Sequence, residues 1–409
     1  MANRIYFANQ QVAFRRDGST GADTAANRWT AAHGVQSVAV TTTFNLEQAF
    51  ELGQLAIYEN IEGVPDIEVT ATKVLDGYPL LYHLATQAGA GLTSPTLAGR
   101  SNEKCIVAIG IWPDTDDAAG KDRANPSQQM ECSGMFASSV SYNFPLEDNF
   151  TEDITLVGND KGWTTIADAT AIGCATPPWA LDAASGEFTT NTDGPKATGL
   201  NLVDAAKPGS ATVDQLGGVN RRENLKFASS SQADAGGVEY TYLPTEIPGV
   251  DSNGWLNPKQ QTDNAHLQSI TVSCDLGREE LFELGTRQPY ARIVTFPVEV
   301  TCDIEVLSVS GDMINAFADG CVDTKEPCSG VADNLTNQAI RIVTCDGTSI
   351  YLGAANKLAS VNYGGGDAGG GNVTVTYSYS TFNDFTVLHP QDPAASGEHW
   401  WTNKANYLT

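Results

Sequence analysis

An internal repeat constrains this chain more than any other feature. Gln36–Gly53, "QSVAVTTTFNLEQAFELG", and Gln268–Gly285, "QSITVSCDLGREELFELG", align without a gap, and eight of the 18 positions are identical. Average residue frequencies would give about one. The match continues where "GVPDIEVTATKVL" (Gly63–Leu75) parallels "TFPVEVTCDIEVL" (Thr295–Leu307), with a one-residue slip. "MFASSVSYNF" (Met135–Phe144) likewise resembles "NKLASVNYGG" (Asn356–Gly365). Copies of this length exceed any solenoid unit, so the reading is a duplicated domain.

Each copy reads mainly as β. Val298, Val300, Cys302, Ile304 and Val306 alternate with Glu299, Thr301, Asp303 and Glu305. Ile67, Val69 and Ala71 alternate in the same way with Asp66, Glu68 and Thr70. A period of two sends one set to a core and the other outward. "NVTVTYSYS" (Asn372–Ser380) is a further alternating strand. The fold class is therefore mainly β: two tandem homologous sandwich or barrel domains, with glycine and proline punctuating antiparallel sheets.

The shared "FELG" phrase reads differently. Leu46, Phe50 and Gly53 lie at helical spacing, and Glu279 and Glu280 fall where a helix N-terminus favours negative charge. One short helix per copy is expected there. The repeat-matched residues Glu47, Phe50, Leu52 and Gly53, with Glu279, Phe282, Leu284 and Gly285, are its packing positions.

The organisation that follows has four parts. Residues 1–34 form an N-terminal arm or first strand that could pack on a neighbour, and residues 35–163 form the first β domain. Residues 164–220, rich in Ala, Gly, Thr, Asp and Pro, are an insertion or linker. Residues 221–409 form the second copy.

Chemistry finds little support. The five histidines make no HExxH or HxH, and no GxSxG, phosphate loop or GxGxxG stands between a strand and a helix. His33 and His266 match between the copies, which reads as a structural correspondence. "DTDDAAGKD" (Asp114–Asp122) has its glycine at the wrong place for an EF-hand loop. No enzyme, cofactor or metal is expected. None of the eight cysteines forms a CxxC pair, and several sit at the apolar phase of strands as small core residues. Only "CVDTKEPC" (Cys321, Cys328) offers a local loop that a disulfide could close. Met1–Gly34 carries no apolar run of secretory-leader length, and no segment reads as membrane-spanning.

The formal charge of -26 disfavours any grip on nucleic acid or an anionic membrane. It fits a soluble surface, and equally a surface that something negatively charged must pass without sticking.

Phe44–Thr86 and Gln268–Val306 resemble tail tube proteins of tailed bacteriophages, most closely the long type with two fused tube domains. The resemblance spans about Arg4–Trp163 and Arg221–Phe385 and is absent over the middle insertion. It implies orthogonal sheets in a barrel-like sandwich, and homotrimeric rings of pseudo-sixfold order stacking into a tube. It further implies a location in the virion tail after assembly in the host cytoplasm. The implied partners are other copies of the chain, a tape measure protein, neck and baseplate or tip proteins and, in a contractile tail, a sheath. DNA would pass through without specific binding. On that reading Asp66, Glu68, Glu299, Asp303 and Glu305, all on the non-core phase of matching strands, are the candidate lumen-facing acids. Two alternatives stay open: a terminator or other ring protein of a tail or injection machine, and a secreted β-sandwich binding protein whose acidic loops take calcium.

Overall fold

The alternating segments become the middle of one large antiparallel sheet. The computed structural model describes residues 5, 9–17, 30–53, 55, 57–86, 96–112, 126–165, 219–227, 240–251, 254, 256, 265–314, 336–364 and 371–389. Its first half holds β1 (Gln10–Arg16), β2 (Thr30–Ala31), β3 (Val35–Thr43), β4 (Leu46–Phe50), β5 (Ile57–Glu62) and β6 (Asp66–Val74). Two short helices follow, α1 (Leu81–Ala85) and α2 (Leu97–Arg100). Then come β7 (Cys105–Ile111), β8 (Gln128–Pro145), β9 (Thr151–Gly158) and β10 (Asp160–Thr165). The second half holds β11 (His266–Asp275), β12 (Arg278–Leu281), β13 (Ala291–Val294), β14 (Glu299–Leu307) and β15 (Arg341–Val343). It ends with β16 (Ser349–Tyr351), β17 (Lys357–Gly364), β18 (Thr374–Phe382) and β19 (Thr386–Leu388).

Eight of these strands lie side by side in the order β3-β6-β9-β8-β11-β14-β18-β17. The first four come from the first half of the chain and the last four from the second, and both sets run in the same order. Irregularities recur at matching places. The β3–β6 register shifts between Val35 and Ser37, and the β11–β14 register between Leu267 and Ser269. The β8–β9 register shifts between Ala137 and Ser139, and β17–β18 between Leu358 and Ser360. A bulge inserts an unpaired residue at a defined place, and these four shifts fall at corresponding places in the two sets.

β8 is the organising strand. Its 18 residues serve two layers. The first part pairs with β7 and β10, and the second with β9 and β11. β1 then joins β7 through seven residue pairs, with Val12, Ala13 and Phe14 buried. That strand of the N-terminal arm thus packs within its own chain. In the second half β15, β16 and β19 form a separate three-stranded sheet.

One continuous core runs through both halves, from Phe14 and Leu75 to Ile304 and Tyr379. Cys105, Cys132, Cys274 and Cys302 lie in it, free and buried, as small core residues should. Burial pushes the Cys132 thiol up to about 11 and that of Cys274 up to about 12. Cys321 and Cys328, the Asp114–Asp122 loop and nearly all of the 164–220 insertion lie outside the described residues.

Every residue of α1 is buried. The Glu152 carboxylate accepts from the N–H groups of Leu81 (2.6 Å) and Tyr82 (2.9 Å), which have no partner inside the helix, and from the Tyr142 hydroxyl (3.0 Å). Burial raises the carboxyl's pKa, and those three hydrogen bonds pull against the shift. His83 of α1 donates from Nε2 to the Val387 carbonyl at 3.0 Å, tying the helix to β19 in the other half.

The "FELG" segments are not helical. Glu47 and Phe50 lie in β4, and Glu279 lies in β12; Phe282 and Leu284 follow it. Each segment is the first arm of a projecting hairpin, β4–β5 or β12–β13. Gly53 and Gly285 adopt φ near +97° and +96° in the turns, a conformation open to glycine, so they reverse a hairpin and do not cap a helix. Leu52 and Leu284 are fully exposed and so are not packing positions. Among the described residues both α-helices lie in the first half.

Candidate assembly surface

The eight-stranded sheet has one buried and one open face. Pairing places Thr41, Glu68, Thr155, Ser139, Asp275, Thr301 and Ser380 on the same open side, across the whole width. Serine and threonine dominate it, and cross-strand hydrogen bonds lace it together. Thr72 donates to Asp153 (2.5 Å), Ser269 to Glu305 (3.2 Å) and Thr271 to Asn143 (3.3 Å).

Asp66, Glu68, Glu299, Asp303 and Glu305 all lie on this face, and all but half-buried Glu305 are exposed. Asp153 and Asp275 join them and were not anticipated. Glu152 and Asp153 are adjacent, and only the strand's phase decides which acid faces out. Asp275 closes β11, where the alternation is about to end at Gly277. Lys357, at the margin, is the cation that pairing puts on this side among the described residues. His33 and His266 do not form a site. His33 stacks on Tyr78 at 4.2 Å, with its pKa lowered by burial and then by Lys73, and His266 is exposed at the start of β11.

The two ends of the sheet carry the second feature. Among the described residues β3 pairs with β6 alone, and β17 with β18 alone. Their counterparts, β11 and β8, pair with each other through seven residue pairs, Ser269–Asp275 against Ser139–Pro145. Burial follows the pairing. Ile270 and Val272 in β11 are 1% and 0% exposed, whereas Val38 and Val40 in β3 are only partly buried. Tyr142 in β8 is 0% exposed, and Tyr363 in β17 is 48% exposed. Transferring the β8–β11 register to the open ends sets Ser360 opposite Thr43, Asn362 opposite Thr41 and Tyr363 opposite Val40. Open-face residues then meet open-face residues, and core-phase residues meet core-phase residues.

The third feature is the pair of hairpins, which leave the same end of the sheet. β12–β13 lies across the strand ends of the first half. Arg278 donates to the Ala137 carbonyl (2.8 Å) and stacks over Phe136. Arg292 reaches Asp66 (3.4 Å) and Asn159 (3.1 Å) and pairs with Glu280 in its own hairpin. Arg287 donates to the Gly63 carbonyl (3.0 Å). The β4–β5 hairpin leaves Leu46, Phe50, Leu52, Leu55 and Tyr58 exposed, as the β12–β13 hairpin and its turn leave Phe282, Leu284, Tyr290 and Ile293.

Among the described residues no group of three or more His, Cys, Asp and Glu could hold a metal ion. No helix there is long and apolar enough to cross a membrane.

No family model matches the chain, and no curated protein matches it. Among solved structures, a chain of the anti-feeding prophage baseplate is similar at 10% identity, covering 41% of this chain and 99% of that one, with a TM-score of 0.27. A chain of the anti-feeding prophage tube-terminating cap is similar at 13% identity, covering 40% and 93%, with a TM-score of 0.27. A chain of an extracellular contractile injection system, the PVC sheath–tube complex in its extended state, is similar at 12% identity, covering 40% and 93%, with a TM-score of 0.26. Likenesses of this size carry none of the argument below.

Proposed function

We propose that this chain is a structural protein of a phage-type tail, a ring-former whose rings stack into a tube that conducts DNA. One observation carries the reading: the chain contains a closed sheet-to-sheet joint, β8–β11, and presents the two halves of the same joint, open, as β17 and β3. An interface of unlike halves joins copies head to tail, and it closes into a ring when the rotation per copy divides a full turn. Closure also removes the open strand edges, which otherwise invite indefinite pairing.

Three chains would give six four-stranded units. Twenty-four strands spaced ~4.8 Å apart enclose a barrel roughly 40 Å across at the backbone. With the core side outward, the Ser/Thr-rich face and its carboxylates line the bore. A wall of fixed negative charge repels phosphates, so a duplex slides instead of adhering. The fully exposed turn residues Leu52 and Leu284, at one end of each ring, are the natural stacking contacts, because apolar side chains left that bare need cover.

The purified chain, imaged by negative-stain electron microscopy beside a solution mass, tests the reading. Hollow stacked tubes with three chains per layer are expected. Single rings that never stack would move the assignment to a terminating ring, and a monomer at high concentration would overturn it.

A further inference from the structure

The two hairpins have diverged, and the divergence matches on both sides of a contact that only one of them makes within the chain. Within the proposed ring, the β4–β5 hairpin stands to the neighbouring chain's second half as β12–β13 stands to its own first half. The repeat supplies each counterpart. Arg278, Arg287 and Arg292 correspond to Leu46, Leu55 and Asn60. On the receiving side Phe136 corresponds to Lys357, Asp66 to Glu299, and Asn159 to Phe382.

These exchanges are complementary. Arg292 approaches Asp66 and Asn159, and in its place the amide of Asn60 would meet Glu299 beside the ring of Phe382. Arg278 stacks its cation over Phe136, whereas Leu46 would lie along the stem of Lys357. Leu55 is fully exposed, Phe382 is 55% exposed, and neighbouring Phe296 is 45% exposed. An apolar tip and an apolar seat stand uncovered in the same chain, on opposite sides of one contact. We infer that the β4–β5 hairpin docks on the β14–β18 end of an adjacent copy of this chain, Leu55 and Asn60 against Phe382 and Glu299. The ring then alternates an ionic hairpin contact inside each chain with an apolar one between chains. The inference rests on the ring reading, and its test separates the two.

Leu55→Asp is expected to weaken ring formation at least tenfold by sedimentation and to leave the urea midpoint unchanged, since Leu55 is fully exposed. Leu55→Arg combined with Phe382→Asp should restore assembly and make it salt-sensitive, as an ion pair requires and a merely structural site would not. A cysteine pair on the open edges, Thr41→Cys with Asn362→Cys, reports strand pairing separately. If that pair forms no interchain disulfide in an otherwise wild-type chain, the ring reading falls. If it does form, and Leu55→Asp assembles within twofold of wild type, the hairpin inference alone falls. Leu55→Ala, which adds no charge, should weaken assembly in the same direction, and no weakening would count against the inference.

Discussion

Placing one lysine at two equivalent positions separates folding from assembly. Val40 and Val272 occupy the same core-phase position of β3 and β11. Val272 is 0% exposed because β8 covers it, whereas Val40 sits on an edge strand and is partly buried. Val272→Lys forces an unpaired ammonium into the closed joint, which costs about 3–5 kcal/mol. That is a large part of the ~5–15 kcal/mol that holds a domain together. Val40→Lys leaves an escape, because the stem can lie on the core margin while the ammonium reaches water past the open edge. The expected loss in the single chain is under about 1 kcal/mol. In the proposed ring, Tyr363 of the adjacent copy would close that escape, and the full penalty would reappear at every interchain joint. At 1.4 kcal/mol per factor of ten, association should weaken roughly 10²–10³-fold per joint. Urea unfolding followed by circular dichroism measures the first quantity, and sedimentation equilibrium of the same samples the second. Wild-type assembly of Val40→Lys, or an equal loss of folding stability in the two variants, would refute this reasoning.

Other outcomes follow from the same geometry. Glu152→Ala strands two helix N–H groups and the Tyr142 hydroxyl, so it should cost roughly 3–6 kcal/mol at neutral pH, while Glu152→Gln keeps an acceptor and should cost far less. Because folding raises the Glu152 pKa, its protonated form stabilises the fold below the unfolded pKa, and that contribution is lost as pH rises through the folded value. Wild type should therefore lose stability relative to the Gln variant on going from about pH 4.5 upward; a gap that stays flat across a denaturation series counts against this. Arg292→Ala, which removes a guanidinium that is 8% exposed from between Asp66 and Glu280, should cost about 3 kcal/mol, against under about 1 for Arg287→Ala at a 62% exposed side chain. Equal urea midpoints for the two variants would contradict that ranking. Changing Glu68, Asp303 and Glu305 together to their amides should leave the proposed tubes intact by electron microscopy and reduce their uptake of a short polycation; unchanged uptake would remove those carboxylates from the proposed bore.

The alternating strands were legible because one face is buried and the other wet. Ile67 and Val69 against Asp66 and Glu68 read correctly, as did Val300 and Cys302 against Glu299 and Asp303. The hairpins misled because no core selects their period. Leu46, Phe50 and Gly53 fit a helical spacing, but Leu46–Phe50 pairs with Ile57–Glu62 and Gly53 sits in the turn, and the side chains of Leu46 and Phe50 face out. The β8–β11 joint was invisible for another reason. Pairing Phe144 with Ile270 is a choice of edge and register made over a long stretch of chain, and nothing local encodes it. The outward acids of β6 and β14 were legible, while Asp153 and Asp275 depended on knowing where neighbouring strands keep their phase.

In the proposed ring, holding both strands of the β8–β11 joint within one chain also changes the order of the assembly reaction. Six separate domains closing into a ring depend on the sixth power of concentration, and three fused pairs on the third. Half of the joints form inside one molecule, where the effective concentration is set by the tether and not by expression level. Dilution, or a slow start to synthesis, therefore penalises this chain far less than it would a single-domain ring-former. The two kinds of joint are also never in competition, so each is free to drift toward its own chemistry.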